Sequence, residues 1–460
     1  MGTVIKVTRG SVVVENPPRE LLDRMRLFMR NGDGVGEYEN LYSLSNSGSV
    51  MTTSPGFAER VMSICPNARI VNAKMPMPEP DVDSAKDGLD SLCAGIVEKS
   101  LKSGGGVVAI PDVIGDVPVI AAVLRAYRRN MLLGRGTPVS VVATNNRDSA
   151  RLIAHNLRDV LRDRDIGVST SGSYTDSEDV IVTTYGTLND IPCKYTGVFI
   201  GTGLSRDDLS EKLGNVSLLR NAARWGVYST PAGGFSHATQ SEQMTFEGIF
   251  GPLSASASYS DSVDAGIGVP ITVCWLPAPK PQFPLGGFSE DMVYALSMQE
   301  NPEFVKMVAE IVARVRNDIG CLLDAEYAAL VKRVSEIVPC AVSVSRKTPV
   351  KERRTLIADI ASGTIRKALL TQDSFPTVCD HGVMVVGSCR KPSAFMCHIP
   401  WRRLKDKGDR AFMVDFRHDW DVHNGRPGYL LCNDDARVRL YREMKFKQIT
   451  INNVCQLPFL

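Results

Sequence analysis

Between Gly104 and Leu124 the chain reads GGGVVAIPDVIGDVPVIAAVL. A short apolar run, Val107 to Ile110, passes through a Pro and a Gly into a second apolar run, Val117 to Leu124, which reads as strand, tight loop, helix. That is the frame of a phosphate-binding loop. A working loop of this type ends Gly-Lys-Ser/Thr, where the Lys grips the β- and γ-phosphates and the hydroxyl holds magnesium. Here Gly115, Asp116 and Val117 stand at those positions. Asp116 sets a carboxylate where phosphates would sit, and Val117 has no hydroxyl to offer a metal. Asp116 as a general base of some new chemistry is the sharper reading. A solvated loop carboxylate is the ordinary one.

Few other residues have the types and spacing for chemistry. The eleven cysteines show no CxxC pair and no zinc-type spacing. Cys389, Cys397 and His398 come closest to a cluster, and they read as buried thiols in a reducing compartment rather than as metal ligands. The cations Arg346, Lys347, Lys351, Arg353 and Arg354 could follow a nucleic-acid backbone or simply form a solvated face.

These residues need elements to hold them. A chain of 460 residues is too long for one compact core, so two or three domains are expected. Residues 1–75 read as a small α+β domain: TVIKVTRGSVVVE alternates as a strand or hairpin, and Leu21, Leu22, Met25 and Phe28 fall on one helical face. Lys74 to Asp83 is Pro-rich and reads as an extended linker. Over 84–255 near-continuous apolar strands alternate with helices, the pattern of a parallel sheet covered on both faces. The Ser/Gly/Pro-rich stretch 256–290 reads as an interdomain linker, and 291–460 as a second α/β lobe.

With 43% apolar and 23% charged residues and a net charge of +2, no global field drives the chain onto nucleic acid or membrane. No run approaches the roughly 18 apolar residues of a membrane span, and the N-terminus lacks a signal-peptide core. A soluble, intracellular protein with no membrane partner is the expectation.

Taken in order, the segments resemble a superfamily-two helicase of the phage UvsW-like type, in which a small N-terminal domain precedes two RecA-like lobes. PVSVVATNNRDSARLIAHNL, with Thr144 at a strand end, is similar to motif Ia, and DVIVTTYGTL to the motif Ib region. The resemblance implies contacts to a nucleic-acid backbone from Thr144, Thr183, Thr184, Tyr185 and Thr187. The Asp-Glu box should follow the strand YTGVFI, but Gly201, Thr202, Gly203 and Leu204 stand there. ARWGVYSTPAGG is similar to motif III. In the second lobe a run through an Arg-containing helix ends at Thr371. The Gly and Asp of motif V fall near Thr377 and Cys379, one place from Asp380. Motif VI keeps Arg402 and Arg403, while its Gln and first Arg appear as Ile399 and Pro400. The adenine-reading Gln of the family falls near Cys93.

The fold expected is therefore α/β, two tandem RecA-like parallel-sheet lobes behind a small α+β domain. ATP and magnesium are the family's cofactors, yet the phosphate Lys, the magnesium hydroxyl and both box carboxylates are missing. Asp116, Val117, Gly201 and Thr202 mark the degenerate positions, and no cofactor, metal or catalytic residue is predicted. Phosphoryl transfer runs on positioning and charge stabilisation, so an ATPase-inactive pseudo-helicase follows. It would bind DNA or RNA through Thr144, Thr183, Thr184, Tyr185, Thr187, Thr371, Arg402 and Arg403, or join a phage replication or transcription complex in the host cytoplasm. A scaffold role, with the fold as a protein-binding platform in the virion, is the alternative. An active helicase with an unconventional site is a distant third.

Overall fold

The computed structural model describes residues 2–8, 11–30, 36–72, 79–127, 139–170, 179–191, 196–203, 223–230, 233–234, 240–283, 285, 287–325, 328–345, 347–371, 381–387, 411–423 and 425–460. The chain divides into two units, Met1–Ala257 and Ser258–Leu460.

The first unit opens with β1 (Val4–Val7) and β2 (Val12–Glu15), which form the expected antiparallel hairpin. After α1 (Arg19–Arg24) come β3 (Arg26–Arg30), β4 (Gly36–Asn40), β5 (Tyr42–Leu44), β6 (Val50–Thr53), α2 (Ala58–Ile64) and β7 (Arg69–Asn72). One sheet runs β5-β6-β2-β1-β7, and β3 and β4 form a separate ribbon. The single helical face drawn through Leu21, Leu22, Met25 and Phe28 is thus corrected. The helix closes at Met25, whose N–H donates to Leu21 O, and Phe28 lies in a strand registered against Tyr38. Pairing with a partner strand overrode the local helical period.

The first large sheet has the order β10-β11-β9-β12-β13-β8-β14, from β8 (Gly106–Pro111), β9 (Val139–Thr144), β10 (Ile166–Ser169), β11 (Val180–Thr184), β12 (Thr196–Thr202), β13 (Ala223–Thr230) and β14 (Leu253–Ser256). Every recorded pairing is parallel. Within the expected Lys74–Asp83 linker, Val82 starts the short helix α3 (Val82–Lys86), capped by Asp81; 73–78 lie outside the described residues. The covering helices include α4 (Ser91–Lys102), α5 (Asp116–Ala126), α6 (Arg147–Val160) and α7 (Gln240–Phe250). The small sheet packs on α7. Met244 joins its core, Arg60 grips Glu247 through two hydrogen bonds of 2.9 and 2.6 Å, and Gly56 lies so close that a Cβ would sit 1.8 Å from Glu247 O.

In the second unit the sheet order is β17-β18-β16-β19-β20-β15-β23. Its strands are β15 (Ile271–Pro277), β16 (Cys321–Ala325), β17 (Val342–Val344), β18 (Lys367–Thr371), β19 (Val383–Val386), β20 (Ala411–Arg417) and β23 (Lys447–Thr450); β21 (Val422–His423) and β22 (Arg426–Pro427) form a small ribbon. The helices are α8 (Tyr259–Asp264), α9 (Glu290–Tyr294), α10 (Pro302–Arg314), α11 (Ala328–Ile337), α12 (Val350–Ala361) and α13 (Tyr429–Glu443). The linker expected over 256–290 is corrected here. It contains α8 and β15, and β15 lies between β20 and β23 with Cys274 and Leu276 in the core. The surrounding Pro and Ser hid an ordinary buried parallel strand. Two tandem RecA-like lobes behind a small mixed domain are what the chain builds.

Candidate functional site

In a parallel sheet, ligand chemistry collects at the carboxyl ends of the strands. At that edge of the first lobe β8 hands over to the loop Asp112–Gly115. Asp112 N–H donates to Thr230 O (2.8 Å) and Ile114 N–H to Pro111 O (2.9 Å). Gly115 takes φ 78°, a left-handed turn that suits glycine, and Asp116 becomes the first residue of α5. The loop therefore has the form its sequence predicts.

Its contents differ from those of a phosphate cradle. Neighbouring strands β12 and β13 each present a hydroxyl. Ser229 Oγ donates to Asp112 Oδ1 (2.7 Å), and Thr202 Oγ1 donates to Asp116 Oδ2. Asp112 and Asp116 are half-buried as whole residues, but their carboxyl ends turn inward. Oδ1 of Asp116 is shut off from solvent and accepts no hydrogen bond among the described residues. Burial pushes the Asp112 carboxyl up to about 6; the Ser229 hydroxyl opposes this, and the charge of Asp116 adds to it. Burial also raises Asp116, against the hydroxyls of Thr202 and Ser229. The solvated-loop reading of Asp116 is thus corrected.

The box positions explain themselves by strand alternation. Thr202 faces α5 and meets Asp116. Gly201 faces the other way, where a Cβ would lie 2.4 Å from Phe250 Cζ and 2.6 Å from the Tyr185 hydroxyl. Its registered partner Gly226 is covered by the same ring, and a Cβ there would lie 2.4 Å from Phe250 Cδ2. Two glycines side by side make the slot in which Phe250 lies, so a carboxylate at 201 has no room. Val117, second in α5, brings only apolar surface. Magnesium and a triphosphate do not fit here: the loop has a carboxylate in place of its cation and lacks the metal's hydroxyl.

Most residues expected to touch nucleic acid are turned inward. Thr144, Thr183, Thr184 and Tyr185 are buried. Thr183 Oγ1 donates to Ser169 O (2.7 Å), and Thr187 Oγ1 lies 2.7 Å from Thr183 Oγ1 and 2.9 Å from Thr184 Oγ1. The Tyr185 hydroxyl donates to Thr202 O (3.1 Å). These groups close a turn at the end of β11, and the Tyr185 ring offers no face to a base. Thr371 ends β18, also buried. Cys93 is buried in α4. Arg346, Thr377, Cys379, Asp380, Cys389, Cys397, His398, Ile399, Pro400, Arg402 and Arg403 lie outside the described residues.

One polar cluster in the second lobe has no signature in the sequence. Asp415, within β20, accepts hydrogen bonds from Arg437 (2.9 and 3.1 Å) and from the Tyr441 hydroxyl (2.9 Å). Arg437 also reaches Asp434 (2.8 Å), which takes the backbone N–H of His418 (2.6 Å). Burial pushes Asp434 up, but the bonds and charges of His418 and Arg437 outweigh it and hold the carboxyl below its usual range. All five side chains are buried, so the cluster ties β20 to α13 and offers no access to a substrate.

No protein-family model and no curated protein matches the chain. Among solved structures, S. cerevisiae Dbp5 bound to RNA and ADP BeF3 is similar at 10% identity and a TM-score of 0.51, over 81% of this chain and 96% of that one. T4 UvsW is similar at 15% identity and a TM-score of 0.41, over 98% and 99%. At such identities the likeness is one of fold. Among the described residues no helix is long and apolar enough to cross a membrane.

Proposed function

We propose that this chain is a pseudo-helicase: it keeps the two-lobed scaffold, takes no nucleoside triphosphate in its first lobe, and serves a nucleic-acid-processing complex without motor activity. The observation that carries this reading is the carboxylate of Asp116 at the head of α5, bonded to Thr202. A triphosphate entering the loop would meet two inward carboxylates in a poorly solvated place, where like charges repel strongly. Each missing catalytic contact of about 3 kcal/mol would slow phosphoryl transfer by more than a hundredfold. Calorimetry with Mg-ATP and Mg-ADP tests the reading. No binding heat is expected at millimolar nucleotide; micromolar binding, or hydrolysis that survives Asp116→Ala, would overturn it.

Nucleic acid is the partner suggested by the fold, since Dbp5, its structural neighbour, is seen bound to RNA. The inward hydroxyls of Thr183, Thr184 and Thr187 favour a second reading, a scaffold that binds protein. Salt separates the two. A backbone binder loses affinity steeply as salt rises, in proportion to the phosphates neutralised. An absence of binding to DNA and RNA at low salt would leave the scaffold.

A further inference from the structure

Helix α13 ends on a residue that its local geometry disfavours. Phe446 N–H donates to Tyr441 O (2.9 Å) and Lys445 N–H to Arg442 O (3.0 Å), and the turn they close pivots on Lys445 at φ 58°. Glycine is the usual residue at such a pivot, because a Cβ crowds the following carbonyl in the left-handed region. Among the described residues only Asn16 and Lys445 adopt that conformation without being glycine. A side chain kept at a strained position directs attention to what that side chain does. Lys445 also has company. Arg439, Arg442 and Lys447 are exposed with it, while Leu440, Tyr441, Met444 and Phe446 between them are buried. From Arg439 to Lys447 the chain carries four cations and one carboxylate, Glu443, a balance of +3 in a molecule whose total is +2. None of the four cations forms an ion pair with a described residue. Arg439 reaches only the backbone oxygen of Asp435 (3.3 Å), and the Asp435 carboxylate is taken by Arg417 (3.0 Å). The negative end of α13 offsets roughly half a unit charge, so most of the excess remains.

Arg439, Arg442 and Lys445 follow at intervals of three, so at about 1.5 Å per residue they line about 9 Å. One nucleic-acid strand presents a phosphate every ~3.4 Å of duplex axis, and a row of that length spans two or three of them. Lys447 registers with Thr272 near the start of β15 and belongs to β23, the outermost strand of the sheet. The row therefore lies at the amino edge of the second sheet, the end opposite the one at which Thr371 is buried. We propose that Arg439, Arg442, Lys445 and Lys447 hold the phosphate backbone of nucleic acid, by charge and without reading bases. This rests on the nucleic-acid reading above, and it moves the contact from buried hydroxyls to an exposed basic edge.

The test is fluorescence anisotropy of the full chain with labelled single-stranded DNA, single-stranded RNA and duplex DNA, each of about 20 nucleotides, between about 50 and 200 mM NaCl. With the probe that binds best, the double variant Arg442→Gln/Lys445→Gly should bind about tenfold more weakly at the low-salt end. Its slope of log affinity against log salt should be shallower by about 1.5 to 2, for two phosphates no longer neutralised. Lys445→Gly alone relieves the strained pivot. Its thermal midpoint should lie at or above the native one while its affinity falls about threefold, a pairing that a purely structural role for Lys445 does not produce. Arg19→Gln/Arg24→Gln in α1 removes the same charge elsewhere and should leave affinity within about twofold. If the first double variant does not fold, Arg439→Gln/Lys447→Gln is read in the same way. A native chain that binds none of the probes at low salt sinks the nucleic-acid reading and this proposal with it. A native chain that binds, with a double variant that binds as well or an α1 variant that loses as much, overturns this proposal and leaves the reading standing.

Discussion

His381 sits against Gly320, where φ is 77° and a Cβ would come within 2.9 Å of the imidazole Cδ2. Its Nε2 lies 2.8 Å from Ile365 O. Burial pushes its pKa down to about 4; the Ile365 carbonyl opposes this and the charge of Arg366 adds to it. The fold thus holds a neutral imidazole, and the unfolded chain binds the proton more tightly. The stability tied to His381 is fully present above about pH 6.5 and is lost as pH falls from there toward about 4, a change of about 3 kcal/mol at most. Asp112 acts in the opposite sense. Its folded pKa of about 6 exceeds the ordinary 3.8, so its contribution is lost as pH rises between those values. The two slopes partly cancel in the native chain, and a variant is needed to expose either. In urea unfolding at pH 7.5 and at pH 5, His381→Gln should lose less stability than the native chain over that interval. Equal losses would show that the imidazole does not titrate as the burial argument requires.

At the scale of elements, the strand β12 shows where sequence reasoning reaches and where it stops. The apolar run Val198–Ile200 and the missing carboxylates were both legible, because type and order are written in the residues. Which way each residue faces was not legible, because that depends on register with β13 and on a helix nearly fifty residues downstream. Gly201 looked like a deleted acid. It is the floor of the Phe250 slot, shared with Gly226. The facing of Thr183 and Tyr185 was equally illegible: their spacing resembles a contact motif, and their side chains close a buried turn. Restoring the acid should therefore damage the fold rather than revive a site. Gly201→Asp forces a charge against a ring and should cost about 4 kcal/mol or more. Gly201→Ala, which brings only the clash, should cost about 1 to 3 kcal/mol. Phe250→Ala combined with Gly201→Ala should cost less than the sum of the two single changes, because the ring is what the methyl group meets. Additive losses in denaturant unfolding would remove Phe250 from the explanation.

At the scale of the whole chain, the alternation of strand and helix was enough to foresee two lobes, but composition drew the boundary in the wrong place. Ser, Gly and Pro around ITVCWLP suggested a connection, whereas the run itself is a strand with both neighbours in place. Ile271 to Pro277 register one for one with Ala411 to Arg417, and Thr272 to Trp275 with Lys447 to Thr450. The strand is held from the side as well. Trp275 Nε1 donates to Gln448 Oε1 (2.8 Å), the Trp275 ring lies 5.7 Å from that of Tyr441, and Ala278 N–H donates to Arg417 O (2.8 Å). Without β15, strand β20 would have a bare edge, β23 would have no neighbour, and the core would lose Cys274 and Leu276. A sheet interior leaves no room for that many unpaired backbone groups. A fragment of residues 258–460 should therefore fold by itself, with one cooperative thermal transition and a dispersed amide spectrum. A fragment of 291–460, cut where composition placed the linker, should be soluble only as an aggregate-prone, non-cooperative species. If the shorter fragment unfolded cooperatively with native-like dispersion, β15 would be dispensable and the boundary would belong at residue 290 after all.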